Sequence, residues 1–212
     1  MTETQQELYR KAFRLAVFTI LYNIIEGLVA VVFGYEDESL TLFGFGVDSF
    51  IEVASGLGIA HLIIRIRHNP ASDRDRFENT ALRVTGVSFY ALVAGLLVTS
   101  AYRLVTGQQP ETTLVGVAIS LISILIMLVL MSAKQKVGTA LSSEPIIADA
   151  RCTKVCIYMS VVLLLSSAVY ELTRIAYVDI LGSLGLAYLS FSEGRECFTK
   201  AKSGASCACD TA

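Results

Sequence analysis

The sequence has few charged residues for its length. Only 17% of its 212 residues are charged, whereas 54% are hydrophobic, and the mean hydropathy is +0.61. A soluble domain typically has about 25% charged residues because polar groups must cover its surface. The composition therefore predicts a membrane protein that sits in the lipid bilayer. The sequence also lacks the excess of basic residues that is typical of nucleic-acid-binding proteins, because its formal net charge is -2. We therefore expect no nucleic-acid partner.

Two other patterns are missing. Residues 1–11 are polar and show no short apolar region with a small-residue cleavage site, so we expect the first apolar segment to stay in the membrane. The number of cysteines is odd, and none lies in the segments assigned to the outside, so we expect no structural disulfide framework. Metal binding or thiol chemistry is the better interpretation of thiols in a reducing compartment. The five cysteines are Cys152, Cys156, Cys197, Cys207 and Cys209.

Six apolar segments are present, and about 20 apolar residues in a helix suffice to cross the hydrocarbon core. They lie at 12–34, 40–64, 80–105, 112–133, 146–170 and 177–193, with polar, turn-rich breaks between them. We therefore predict an all-α fold, a polytopic bundle of six transmembrane helices. Its parts would be a cytoplasmic N-terminal segment (1–11), the transmembrane domain (12–195) and a cytoplasmic tail that contains cysteines (196–212).

The distribution of basic residues predicts the orientation of this bundle. With six spans, 15 of the 17 Lys and Arg residues fall on one side, and only Arg103 and Arg174 fall on the other. Lys and Arg are enriched in cytoplasmic loops. Both termini are therefore predicted to be cytoplasmic, in a multi-pass protein of the inner (plasma) membrane.

The second span contains a pair of carboxylates. Asp48 and Glu52 are four residues apart, so they lie on one helix face, close to the predicted membrane midplane. Two anions this close repel each other unless a cation or a proton lies between them. Ionisable groups inside a membrane are functional by default, and the midplane is the usual depth of a transporter's ion site. In the first span, Asn23 and Glu26 either line the same cavity or form interhelical hydrogen bonds.

The fifth span contains a pair of thiols with the same spacing. Cys152 and Cys156 are four residues apart, and Asp149 precedes Cys152 by three. Two helices that each offer such a pair can form the four-ligand tetrahedral shell that zinc prefers. Thiolates favour soft or borderline ions such as zinc, cadmium and mercury over magnesium or calcium. Taken alone, however, a cysteine pair on a buried helix also fits inert packing.

These features together resemble those of one protein family. The second span has Asp48 and Glu52 where that family has a DxxxD-type pair, and residues 148–156 correspond to its ADAxHxxxD pattern. The sixth span opens with Asp179 and closes with Glu193-Gly194, as in the family. Over roughly residues 12–195 the sequence resembles the cation diffusion facilitator (cation efflux) family of metal exporters.

The resemblance implies a transport site with two ligands from each of the second and fifth spans, namely Asp48, Glu52, Cys152 and Cys156. The family's His and Asp on the fifth span are both Cys here, which shifts the expected preference from zinc toward cadmium or mercury. The resemblance further implies export of a divalent metal ion, no organic cofactor and no enzymatic activity. Because thiols and carboxylates must lose protons to bind a metal, we expect this export to be coupled to protons that move the other way. It also implies a homodimer formed through the transmembrane helices.

The segment after the sixth span departs from the family pattern. Family members usually have a C-terminal cytoplasmic domain, whereas here residues 196–212 follow, so we expect a minimal form without that domain. Cys207 and Cys209 could accept a soft metal and pass it to the site, with Asp149 on the entry path. The alternative is a disordered tail with incidental thiols.

Two other functions are compatible with the residues. Cys152 and Cys156 could serve a membrane thiol oxidoreductase, although sulfurs one helical turn apart suit a metal better than a disulfide. The chain could also be a metal-binding accessory or sensor protein that does not transport.

Overall fold

The described part of the chain folds into six α-helices. The structure is a computed structural model, and it describes residues 3–37, 39–68, 76–107, 113–175 and 177–203. The helices are α1 (Glu3–Glu36), α2 (Leu40–His68), α3 (Arg76–Thr106), α4 (Leu114–Leu141), α5 (Glu144–Thr173) and α6 (Tyr177–Ser203). The predicted all-α class is confirmed, and each helix covers all or nearly all of one predicted apolar segment, α4 beginning two residues after the start of the predicted 112–133.

Five of these helices are long and apolar enough to cross a membrane. The qualifying segments are Gln5–Glu36, Leu40–Arg65, Arg83–Thr106, Leu114–Leu141 and Thr153–Thr173. Large apolar side chains point outward along the bundle, among them Val105 (88% exposed) and Leu172 (85% exposed), as expected of surfaces that face lipid. The chain is therefore a polytopic membrane protein. Helix α6 has 27 residues, about 40 Å in length, but its crossing of the membrane stays a prediction.

The helices continue past the predicted segments at their inner ends, which are the predicted cytoplasmic ends. Helix α1 begins at Glu3, within the predicted N-terminal segment, and α6 runs to Ser203, into the predicted tail. Cys197 consequently lies on α6 and is buried against the hydrophobic core.

The predicted loop between the fourth and fifth spans is wrong for residues 134–141. Helix α4 continues to Leu141, because Lys, Gln and Ala are good helix formers. It ends where Ser142 adopts a left-handed conformation (φ 47°, ψ 40°). Pro145 lies in the first turn of α5, where a missing N–H costs nothing. This correction places Lys134 inside a helix.

Helices α1 and α2 approach each other closely through glycine. A Cβ atom on Gly27 would lie 3.0 Å from the carbonyl oxygen of Gly46, and one on Gly46 would lie 2.7 Å from the backbone nitrogen of Val31. Small residues allow such close contact between helices in membranes. The contact brings polar side chains of α1 within hydrogen-bonding distance of α2.

Among the residues that the structure describes, apolar side chains form two buried clusters. The larger cluster extends over α1, α2, α3, α5 and α6 and includes Phe45. The smaller cluster lies at the inner ends of α1, α2, α4 and α5 and includes Ile59. Along α2, Ile51 of the larger cluster lies between Asp48 and Glu52, so these polar residues are set within the apolar core of the bundle.

At the outer end of the bundle, acidic residues cap helix N-termini. Asp179, in the first turn of α6, accepts hydrogen bonds from Ser39 Oγ (2.9 Å) and from the backbone N–H groups of Leu40 (2.8 Å) and Thr41 (3.2 Å). Helix N-termini leave N–H groups unpaired and favour negative charge. Asp179 therefore fixes the start of α2 against α6.

Candidate metal-transport site

The carboxylate pair of α2 lies inside the bundle. Asp48 is only 3% exposed, and Glu52 lies one turn further along the helix and is partly buried. No hydrogen-bond donor among the described residues reaches Asp48 Oδ1. Burying a carboxylate oxygen without a donor costs free energy, so this atom is available to a cation.

Glu52 connects α2 to α5. The Cys156 thiol donates a hydrogen bond to Glu52 Oε1, with Sγ and Oε1 2.5 Å apart. Glu52 is 12 residues from the outer end of α2, and Cys156 is 12 residues from the inner end of α5, so each lies about 18 Å into its helix. The two predicted ligand-bearing helices therefore meet at these side chains.

The remaining predicted ligands are less fully described. Cys152 lies on α5 one turn before Cys156, but its side chain is outside the described part of the chain. Cys207 and Cys209 lie outside the described residues altogether. Among the side chains that are described, no three of His, Cys, Asp or Glu converge closely enough to hold a metal ion. The four-ligand shell thus stays a prediction. We call Asp48, Glu52, Cys152 and Cys156 the candidate site.

Helix α1 contributes polar groups that contact Glu52 and the residue next to Asp48. Asn23 Nδ2 donates to Glu52 Oε2 (2.8 Å). Glu26 accepts hydrogen bonds from Tyr22 (2.7 Å) and from Ser49 Oγ (3.2 Å), and Ser49 follows Asp48 directly in the sequence. Of the two interpretations left open for Asn23 and Glu26, the structure thus has the interhelical hydrogen bonds.

Asp149 forms an ion pair with a lysine that the sequence reasoning missed. Lys134 Nζ lies 3.1 Å from both carboxylate oxygens of Asp149 and also donates to Thr153 Oγ1 (3.1 Å). Lys134 was assigned to a loop, where it counted only as a cytoplasmic positive charge. One signal could have found it, because it continues the buried stripe of α4 at helical spacing. That stripe consists of Met127, Leu130, Lys134 and Val137.

Comparison with known proteins identifies the family. The model of the cation efflux transmembrane domain matches residues 13–203, which include nearly all of the six helices. The chain belongs to the cation efflux family. The family that the sequence features resemble is therefore confirmed. Members are membrane transporters of metal cations rather than typical enzymes.

A curated relative supports the same assignment more weakly. An uncharacterized transporter of Methanocaldococcus jannaschii is 24% identical to this chain over 139 residues. The match covers 63% of the chain and 49% of the relative, so the chain spans about half the length of that protein.

Proposed function

We propose that this chain exports a divalent soft or borderline metal ion, namely zinc, cadmium or mercury, from the cytoplasm across the inner membrane. The ion would bind at the candidate site and leave in exchange for protons. The observation that supports this most strongly is the contact between Glu52 of α2 and Cys156 of α5, with Asp48 one turn away. Membership of the cation efflux family supports the same function.

The chemistry of these donor groups favours the proposed ions. Thiolate ligands select soft and borderline metals, and carboxylates add the negative charge that a dication needs. Zinc favours four ligands in a tetrahedron, which Asp48, Glu52, Cys152 and Cys156 would provide in number. The buried oxygen of Asp48 that lacks a donor within the described chain is suited to such an ion.

The state of Cys156 suggests how metal and protons would be coupled. Its thiol is the donor in the hydrogen bond with Glu52, so Cys156 is protonated in this arrangement. Thiols must lose this proton before they bind a metal. Metal arriving from the cytoplasm would release protons, and protons entering from outside would displace the metal. Opening the site alternately to the two sides would then produce antiport.

Transport can be tested in proteoliposomes that contain the purified full chain and a pH-sensitive dye. We expect flux of zinc, cadmium or mercury with opposing proton movement, and none of manganese. The variant Asp48→Ala/Cys152→Ala should abolish this flux, whereas Glu7→Gln should not, because Glu7 is exposed on α1 and far along the helix from Asn23 and Glu26.

Wild-type flux in the Asp48→Ala/Cys152→Ala variant would contradict the proposal. Binding without flux in the wild-type protein would instead favour the metal-binding accessory or sensor. A thiol oxidoreductase would oxidise thiols with a quinone acceptor in the absence of added metal. The Cys156 contact with a carboxylate gives that enzyme no support.

A further inference from the structure

Lys134 places an ammonium group inside the helix bundle. Its side chain is only 3% exposed, although an unpaired charge within a membrane is costly. It lies 20 residues after the start of α4 at Leu114, about 30 Å from the outer end of that helix. The ion pair with Asp149 and the hydrogen bond to Thr153 offset the cost of burying it.

The ammonium group lies next to the candidate site, on its predicted cytoplasmic side. Thr153, which accepts the hydrogen bond from Lys134, precedes Cys156 on α5 by three residues, about one helical turn. Lys134 also interacts electrostatically with both Glu52 and Cys156. The same cation therefore pairs with Asp149 and also acts electrostatically on two groups of the candidate site.

A metal ion at Glu52 and Cys156 would compete with this lysine. The ammonium attracts the carboxylates when no metal is present, whereas it repels a dication, and both effects are strong in a bundle of low dielectric constant. Lysine carries its charge on a flexible four-carbon stem. Small movements of that stem would shift the charge between Asp149 and Glu52 without movement of a helix.

We propose that Lys134 is a built-in counter-cation of the candidate site, held by Asp149. Held on Asp149, its ammonium offsets part of the negative charge of the site's carboxylates in the metal-free protein and repels a dication that binds there. Lys134 is thus a positioning residue and not a ligand. It keeps metal binding weak enough for release and reduces the uncompensated negative charge that the metal-free protein carries when it reorients. This inference rests on the proposed function.

The test combines cadmium binding, measured by equilibrium dialysis of the purified protein, with cadmium flux in proteoliposomes. Lys134→Met/Asp149→Asn removes both charges of the pair together, so that neither Lys134 nor Asp149 is left as an unpaired buried charge. We expect this variant to bind cadmium about tenfold more tightly and to transport it more slowly. Asp149→Asn alone should bind cadmium about tenfold more weakly, because the ammonium then moves toward Glu52.

Two further variants separate this role from a structural one. Lys134→Asp/Asp149→Lys keeps an ion pair between α4 and α5 but moves the cation to position 149, further from Cys156. If the ion pair were purely structural, this exchange would restore wild-type binding and flux. We instead expect the charge-exchange variant to bind cadmium tightly and transport it slowly, like the neutral double variant. Lys136→Met is the matched control, since Lys136 is exposed two residues further along α4, and it should behave as wild type.

The outcomes distinguish this inference from the proposed function. Wild-type affinity and flux in both double variants would overturn the role of Lys134 while leaving metal export intact. If the neutral double variant fails to fold, the charge exchange and Asp149→Asn still decide the question. Absence of cadmium, zinc and mercury binding by the wild-type protein would overturn the proposed function, and this inference with it.

Discussion

Two buried aspartates in this protein have opposite surroundings. Asp179 is 2% exposed and Asp48 is 3% exposed, so their burial is nearly the same. Asp179 accepts hydrogen bonds from Ser39, Leu40 and Thr41 at the start of α2, whereas Asp48 has one oxygen that no donor in the described ranges reaches.

This difference indicates different roles for the two residues. A buried polar group that is fully hydrogen-bonded stabilises the fold, whereas one without a partner calls for another explanation, such as a bound ion. Burial of an acidic residue in a membrane is therefore a weak guide to function by itself. The hydrogen bonds that the residue accepts distinguish an aspartate that caps a helix from one that is a candidate metal ligand.

The largest expected effect is that of Asp48→Asn on transport. The amide removes the negative charge that would bind the metal, and we expect metal flux to fall by about 100-fold or more, beyond the usual cost of changing a residue that only supports a ligand. The denaturation temperature in detergent should stay the same or rise, because the variant removes a buried charge that has an oxygen without a donor among the described residues. If the variant lost stability and kept its metal flux, Asp48 would have the structural role that we assign to Asp179.

Asp179→Ala should have the opposite pattern. It leaves the N–H groups of Leu40 and Thr41 without their acceptor, and each lost hydrogen bond to a charged group costs about 1.5–3 kcal/mol. We expect the free energy of unfolding to fall by about 3 kcal/mol in denaturant titrations. The dissociation constant for cadmium should match that of the wild type. If the affinity for cadmium fell instead, Asp179 would have a role in metal binding as well as in stability.

Asn23→Ala tests a residue between these two extremes. Asn23 holds Glu52 by a hydrogen bond but belongs to neither a helix cap nor the candidate site. Loss of such a supporting contact typically weakens metal binding about 10- to 100-fold, and we expect the lower end of this range by equilibrium dialysis. Tyr22→Phe is the control, because Tyr22 supports Glu26 rather than Glu52. Equal losses in both variants would show a general disturbance of α1.

Much of the fold could be predicted because the signals are local. Runs of apolar residues and polar breaks predicted six helices, and the four-residue spacings of Asp48 with Glu52 and of Cys152 with Cys156 placed each pair on one helix face. The loop from Lys134 was wrong for a physical reason. In a sequence, a charged residue after an apolar run indicates the end of a membrane span. Here Asp149 on another helix offsets the charge of Lys134, and the sequence does not show that contact.

The sequence by itself determined the fold class, the family and the helices on which the acidic and thiol pairs lie. These features follow from composition, from motifs and from spacings between residues that are close in the chain. Only the tertiary structure decided that Glu52 meets Cys156, that Lys134 pairs with Asp149 and that Asp179 caps α2. Each of these contacts joins different helices. Helix packing, which side-chain shape and close glycine contacts control, sets which helix faces meet.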